Sequence, residues 1–203
     1  METKSQVSID KLVSTEIDPI IRSWFEISQL KNLYRRGWLQ AGISAEHCES
    51  VAEHSFGVAI LCNLLIPEVS EQLDGKKVLQ MALLHDIGEV YAGDITPQDG
   101  LTDHAKSMAE RESVNHILSR LPAGQEYLQI WEEFEAGESP EARFVRQIDR
   151  LEMGLQARIY VEQGYQDLDQ FFNSAIQALT DIELRELVAD VIPVDQAADH
   201  DPE

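Results

Sequence analysis

Apolar residues recur at three- to four-residue spacing along most of the chain, and no stretch alternates apolar and polar convincingly, so the pattern predicts helices joined by short turns. Helices are expected over residues 17–34, 51–66, 76–91, 103–121, 124–136, 141–162 and 167–178, with another around 182–189. Gly100, Pro122, Gly137, Pro140 and Gly164 fall at the breaks. Two helix starts are well marked. Ser50 with Glu53 three residues on is a capping-box signature. Ser139-Pro140-Glu141 supplies an N-cap, a proline at the first helical position and an acidic first turn. Beyond it Phe144, Ile148, Leu151, Leu155 and Ile159 trace an apolar stripe. The expected architecture is all-α: a domain over 15–190, a flexible segment over 1–14 and a disordered tail over 191–203.

One of these helices carries misplaced polarity. Val78, Leu79, Met81, Ala82, Leu83 and Leu84 make it apolar nearly all the way round, the mark of a buried central helix, yet His85-Asp86 follows directly. A buried ionised carboxylate is costly unless it is paired or coordinates a metal. Glu89 lies three and four residues further on, so His85, Asp86 and Glu89 can lean toward one site. The alternative is a His–Asp pair with a structural role only. His54 falls in the first or second turn after Ser50, either as an imidazole metal ligand or as a half-buried histidine satisfied by a backbone carbonyl. Asp149 flanks its stripe between Val145 and Glu152, open to the core or to an outside pairing with Arg146 or Arg150. The Gly88–Pro97 stretch brings Asp94 close to the end of the His-Asp helix, where it is a functional loop residue or merely follows Gly93 as a C-cap.

Taken in order, His54, His85-Asp86 and Asp149 resemble the HD-domain metal-dependent phosphohydrolase superfamily. Further stretches resemble its 5′-deoxynucleotidase branch: Leu30-Lys31…Arg35-Arg36-Gly37-Trp38, Glu49-Ser-Val-Ala-Glu-His54, Ala82-Leu-Leu-His-Asp86, Glu89…Gly93-Asp94-Ile95, Trp131-Glu-Glu-Phe-Glu135 and Phe144-Val-Arg-Gln-Ile-Asp149. The resemblance runs from residue 28 to residue 165. It implies an HD-domain helical bundle with a divalent metal between central helices, held by His54, His85, Asp86 and Asp149. Such a nitrogen and oxygen donor set suits Mn, Co, Fe, Ni or Mg better than a thiolate-bound structural zinc, although Zn stays among the candidates. It further implies that Glu89 transfers protons near the attacking water, that Asp94 touches the sugar and nucleophile region, and that Arg35 grips the phosphate. Arg36, one residue on, is the alternative for that last role. Trp38 either shapes the sugar pocket against a 2′-hydroxyl or anchors the core. The implied reaction is release of phosphate from deoxyribonucleoside 5′-monophosphates, by a homodimer. Other members of the superfamily act on cyclic dinucleotides, nucleoside triphosphates or the ppGpp alarmone, and this chain carries no basic cluster that would favour the last two.

Charge narrows the partners. Thirty-seven acidic residues against 16 basic ones give 203 residues a net charge of −21, which argues against a nucleic-acid polymer or an anionic membrane. It also requires a metal and Arg35 to supply local positive charge for a phosphate substrate. Much of the acid reads as solvated helix face, as at Glu132, Glu133, Glu135 and Glu138. Cys48 and Cys62 suit reduced thiols and a cytoplasmic location, and the apolar run over 56–66 is far too short to span a membrane. Two other readings remain open. A metal- or nucleotide-binding module without turnover needs only the ligands, and Glu89 and Asp94 count against it. An interaction protein in which the His and Asp residues merely pair predicts that Asp86→Ala destabilises with or without metal.

Overall fold

The capping signals mark where the central helices begin. Residues 3, 4, 11 and 17–192 are described by the computed structural model, and their regular elements are α- and 3₁₀-helices. The α-helices are α1 (Pro19–Ile27), α2 (Arg36–Gln40), α3 (Val51–Leu65), α4 (Gly75–Leu84), α5 (Glu89–Ala92), α6 (Asp103–Leu118), α7 (Gly124–Ala136), α8 (Pro140–Glu162), α9 (Asp169–Ala178) and α10 (Ile182–Val188). Ser50 Oγ accepts from Glu53 N–H at 3.2 Å while Glu53 Oε2 accepts from Ser50 N–H at 2.6 Å, so α3 starts at Val51 and His54 is its fourth residue. Ser139 Oγ caps Ala142 N–H at 3.2 Å ahead of Pro140.

Helix α3 packs on α4 and α8, α7 packs on both of those, and α9 lies along α8. Val58 and Cys62 of α3, Val78 and Met81 of α4, and Ile148 and Leu151 of α8 meet in the main core with no surface exposed. Each such side chain contributes about 1.5–3 kcal/mol by leaving water. A second cluster joins Leu30, Leu33, Val51, Ile87, Val90, Val114, Ile117 and Trp131, and so ties α5, α6 and α7 to the start of α3. Leu84 touches both clusters. The His85-Asp86 pair therefore sits at their junction.

That junction breaks the helix expected over 76–91. Helix α4 stops at Leu84, and the chain closes into tight turns, with Ile87 N–H on Leu84 O and Glu89 N–H on Asp86 O, both at 3.0 Å. The cause is packing: residues before the break face the main core, whereas Ile87 and Val90 must reach the second cluster. The helix expected over 17–34 also ends early. It passes into a 3₁₀ turn, Ser28–Lys31, because Leu30 and Leu33 are drawn into the second cluster, and Tyr34 then bridges Ser50. The stripe of α8 drifts as well. Phe144, Ile148 and Leu151 face inward, but Ala157 and Tyr160 continue the buried face while Ile159 is 50% exposed, since α9 packs along that side. Within the first segment Thr3 bridges Leu33 and Lys4 Nζ pairs with Glu53 Oε2 at 3.0 Å. Apart from residues 3, 4 and 11, segment 1–14 lies outside the described residues, as does the tail from 193 to 203.

Candidate metal centre

The start of one helix, the turn after a second and the middle of a third aim donors at one point. Helix α3 supplies His54 from its first turns, the turn after α4 supplies His85 and Asp86, and α8 supplies Asp149. Donor atoms of His54, His85 and Asp149 all lie within 4.8 Å of one another. His54 Nε2 is 3.0 Å from Asp149 Oδ1 and 3.7 Å from Asp86 Oδ2, and His85 Nε2 is 3.2 Å from Asp86 Oδ2. Adjacent ligands about 2.1 Å from a six-coordinate ion stand about 3 Å apart. The spacing thus fits a divalent cation. So does the bonding: His85 Nε2 and Asp86 Oδ2 are buried and, though 3.2 Å apart, make no hydrogen bond, a costly state for buried polar atoms.

The outer bonds of both imidazoles direct their inner nitrogens. His85 Nδ1 donates to Ala82 O at 2.8 Å, and His54 Nδ1 donates to Glu152 Oε2 at 2.6 Å, leaving each Nε2 for the centre. Glu49, His54 and Glu152 form a second cluster of donors. A separation of 2.6 Å is a hydrogen bond and too close for two ligands of one ion. Glu49 Oε1 is likewise occupied, accepting from Trp38 Nε1 at 2.7 Å. This second group is a hydrogen-bonded layer behind His54.

Electrostatics follow from crowding four acids, two imidazoles and a guanidinium out of water. Burial and Arg35 oppose a charge on His54, but bonds to Asp149 and Glu152 push it up to about 10. Burial also works against ionised Asp86 and Asp149, yet His85, Arg35 and His54 hold Asp86, and both imidazoles hold Asp149, well below the usual carboxylate range. Glu89 goes the other way. Burial, with Asp86 and Asp94 nearby, raises it well above its ordinary value, and its Oε2 makes no hydrogen bond. A cation entering here displaces imidazole protons and favours ionised carboxyls.

Among the remaining residues singled out by sequence, Arg35 Nη1 lies 3.8 Å from both Asp86 Oδ2 and Asp94 Oδ1, facing the centre. Arg36 instead ties the loop down: its backbone N–H meets Asp94 Oδ2 and its guanidinium reaches Asp94 O at 3.1 Å and Asp99 Oδ2 at 2.6 Å. Gly93, with φ 84°, ends α5 and turns the chain so that Asp94 points back at these arginines. Trp38 is 2% exposed and packs on Tyr160 and Phe171, so it stands in the core as an anchor with its N–H held by Glu49. Asp149 keeps an outside contact too, 3.8 Å from Arg150 Nε, whereas Arg146 bonds the Phe134 and Glu135 carbonyls. Sequence reasoning passed over Glu152 and Glu49. Glu152 carried a signal, since it lies three residues after Asp149 on one helical face. The approach of Glu49 to His54 depends on the fold.

Residues 27–189 match the HD domain family. The chain is 36% identical over 158 residues to the 5′-deoxynucleotidase HDDC2 of Dictyostelium discoideum, covering 72% of this chain and 82% of that one. It is 31% identical over 169 residues to the 5′-deoxynucleotidase HDDC2 of Homo sapiens, covering 81% and 80%. Among solved structures, a conserved hypothetical protein from Pyrococcus furiosus superposes with a TM-score of 0.73 at 30% identity, covering 84% of this chain and 98% of that one.

Proposed function

The chain belongs to the HD domain family, and on that premise we propose that it is a metal-dependent 5′-deoxynucleotidase, releasing phosphate from deoxyribonucleoside 5′-monophosphates. The observation that carries the site assignment is the convergence of His54, His85, Asp86 and Asp149 on one buried point with Arg35 beside it. Those four residues would hold a divalent cation, which would supply positive charge for the phosphate and make water a better nucleophile.

The remaining chemistry belongs to the protein's own groups. Arg35 is kept charged against burial by Asp94, Asp86, Glu89 and Asp149, and its 3.8 Å contacts leave donors for phosphate oxygens. Glu89 is the proton-transfer group: its Oε2 takes the proton of the attacking water and returns one to the leaving 5′-oxygen. Water adds to phosphorus, the P–O5′ bond breaks, and deoxynucleoside and phosphate leave. Asp94 lines the sugar side and holds Arg35 and the start of α2 in register, while buried Trp38 anchors that helix. Lys106 adds a cation nearby: against burial, Glu110, Glu89, Asp86 and Asp94 favour its charge.

Two further parts of the proposal concern assembly and place. Phe56, Ile60 and Leu64, spaced one turn apart on α3, are 66%, 44% and 60% exposed, and this apolar face supports a homodimer, which sedimentation of the Phe56→Glu variant tests. Buried, unpaired Cys48 and Cys62 support a cytoplasmic location, and among the described residues no helix is long and apolar enough to cross a membrane.

The deciding assay measures phosphate release from dAMP, dGMP, dCMP, TMP and dUMP beside their ribose forms, with Mn, Co, Mg or no metal. Metal-dependent release confined to the deoxy series, and lost in Glu89→Ala, is the expected result. Metal binding without release from any substrate would overturn the proposed reaction while leaving the metal centre standing.

A further inference from the structure

Helix α8 contributes a second carboxylate one turn beyond Asp149. Glu152 is 8% exposed, and its Oε2 takes the Nδ1 proton of His54 at 2.6 Å, on the side of the ring away from Asp149 and Asp86. An imidazole held at both nitrogens has one orientation. The carboxylate reaches that position by lying over Gly57, one turn along α3 from His54. A Cβ at residue 57 would stand 2.5 Å from Glu152 Oε1, 3.0 Å from its Cγ and 3.1 Å from its Cδ. No side chain larger than hydrogen fits there while Glu152 stays in place.

We propose that Glu152 is a positioning residue of the metal centre, which aims His54 Nε2 at the cation, and that Gly57 is the gap that admits it. This rests on the metal reading given above. Removing an outer carboxylate of this kind weakens metal binding by about 10–100-fold. Glutamine keeps an oxygen that can accept the Nδ1 proton, so Glu152→Gln retains part of the affinity that Glu152→Ala loses. Gly57→Ala keeps every polar group in the chain and only moves the carboxylate. Alanine favours a helix over glycine, so any loss of affinity there is a loss of position and not of helix.

The experiment is calorimetric titration of the metal-stripped full chain with Mn²⁺, with circular dichroism confirming the fold of each variant. The expected order of affinity is wild type, then Glu152→Gln, then Glu152→Ala, with Gly57→Ala also weaker than wild type. Should Glu152→Ala fail to fold, Glu152→Gln and Gly57→Ala decide the matter. Wild-type affinity in both of those would overturn the positioning role while leaving the centre intact. A wild-type protein that takes up no Mn²⁺ would overturn the metal reading itself, and this inference with it.

Discussion

Gly88→Ala tests whether the tight turn carrying His85, Asp86 and Glu89 depends on close approach of α6. Gly88 has φ −59° and ψ −28°, which alanine adopts freely, so the backbone itself raises no objection. Space does. A Cβ there would lie 2.8 Å from Glu110 Cβ, 3.1 Å from Glu110 Cα and 3.2 Å from Glu110 Cγ. Carbon atoms prefer about 3.5–4.0 Å, so α6 or the turn must give by about 0.7–1.2 Å. Overpacking of this kind costs about 1–3 kcal/mol. Replacing glycine in a compatible conformation stabilises by about 0.4–1 kcal/mol through the unfolded chain, so at the middle of both ranges the net loss is about 1.3 kcal/mol. At about 2–4 °C per kcal/mol for a chain of this size, Tm falls by about 3–5 °C. Because the turn holds the proposed proton-transfer and ligand side chains, a shift approaching 1 Å should lower the rate by on the order of a hundredfold. Thermal unfolding followed by circular dichroism and phosphate release from dCMP measure the two effects. The sign is decisive: a variant more stable than wild type refutes the close-approach argument, since without it the substitution stabilises.

Three other outcomes follow from the same geometry. Mn²⁺ at 100 times its Kd should stabilise wild type by about 2.7 kcal/mol, and an equal rise in the Tm of Asp149→Ala would remove Asp149 from the ligand set. Burial, opposed by Lys106 and assisted by Glu135 and Asp86, pushes the Glu110 carboxyl up to about 7 from an ordinary 4.5. Across that window the folded protein keeps a proton that the unfolded chain has released, so Glu110 lowers stability as pH rises. Glu110→Gln should therefore gain on wild type between pH 4.5 and 7, by at most about 3 kcal/mol, in urea titrations at several pH values; a pH-independent difference would contradict this. Arg35→Ala should cut kcat/KM for dCMP by about a hundredfold, as loss of a charged phosphate contact of about 3 kcal/mol requires, and much more than Arg36→Ala. The reverse order would move phosphate binding to Arg36.

Much about this protein is local and was legible in the chain. Helix starts at Val51 and Pro140 follow from Ser50 with Glu53 and from Ser139-Pro140, because a cap acts within one turn of backbone. The all-α class follows from periodicity, His54 and His85-Asp86 stood out as polar groups beside apolar runs, and Asp149, on a helix rich in charge, joined them only through the family resemblance. Tertiary structure decided the rest. Periodicity could not place the break after Leu84, because two separate apolar clusters pull on either side of it and only the packed fold contains both. It could not show where Arg35 and Arg36 point either: adjacent residues share a sequence context but diverge in direction, the Arg35 guanidinium beside Asp86 and Asp94, that of Arg36 on the Asp94 carbonyl and Asp99. Nor could spacing pair His54 with Glu152, ninety-eight residues away, or show why residue 57 is glycine. A contact between α3 and α8 exists only once both helices are buried against the same core, and hydrogen-bond partners at that separation are set by packing rather than by any property of the local chain.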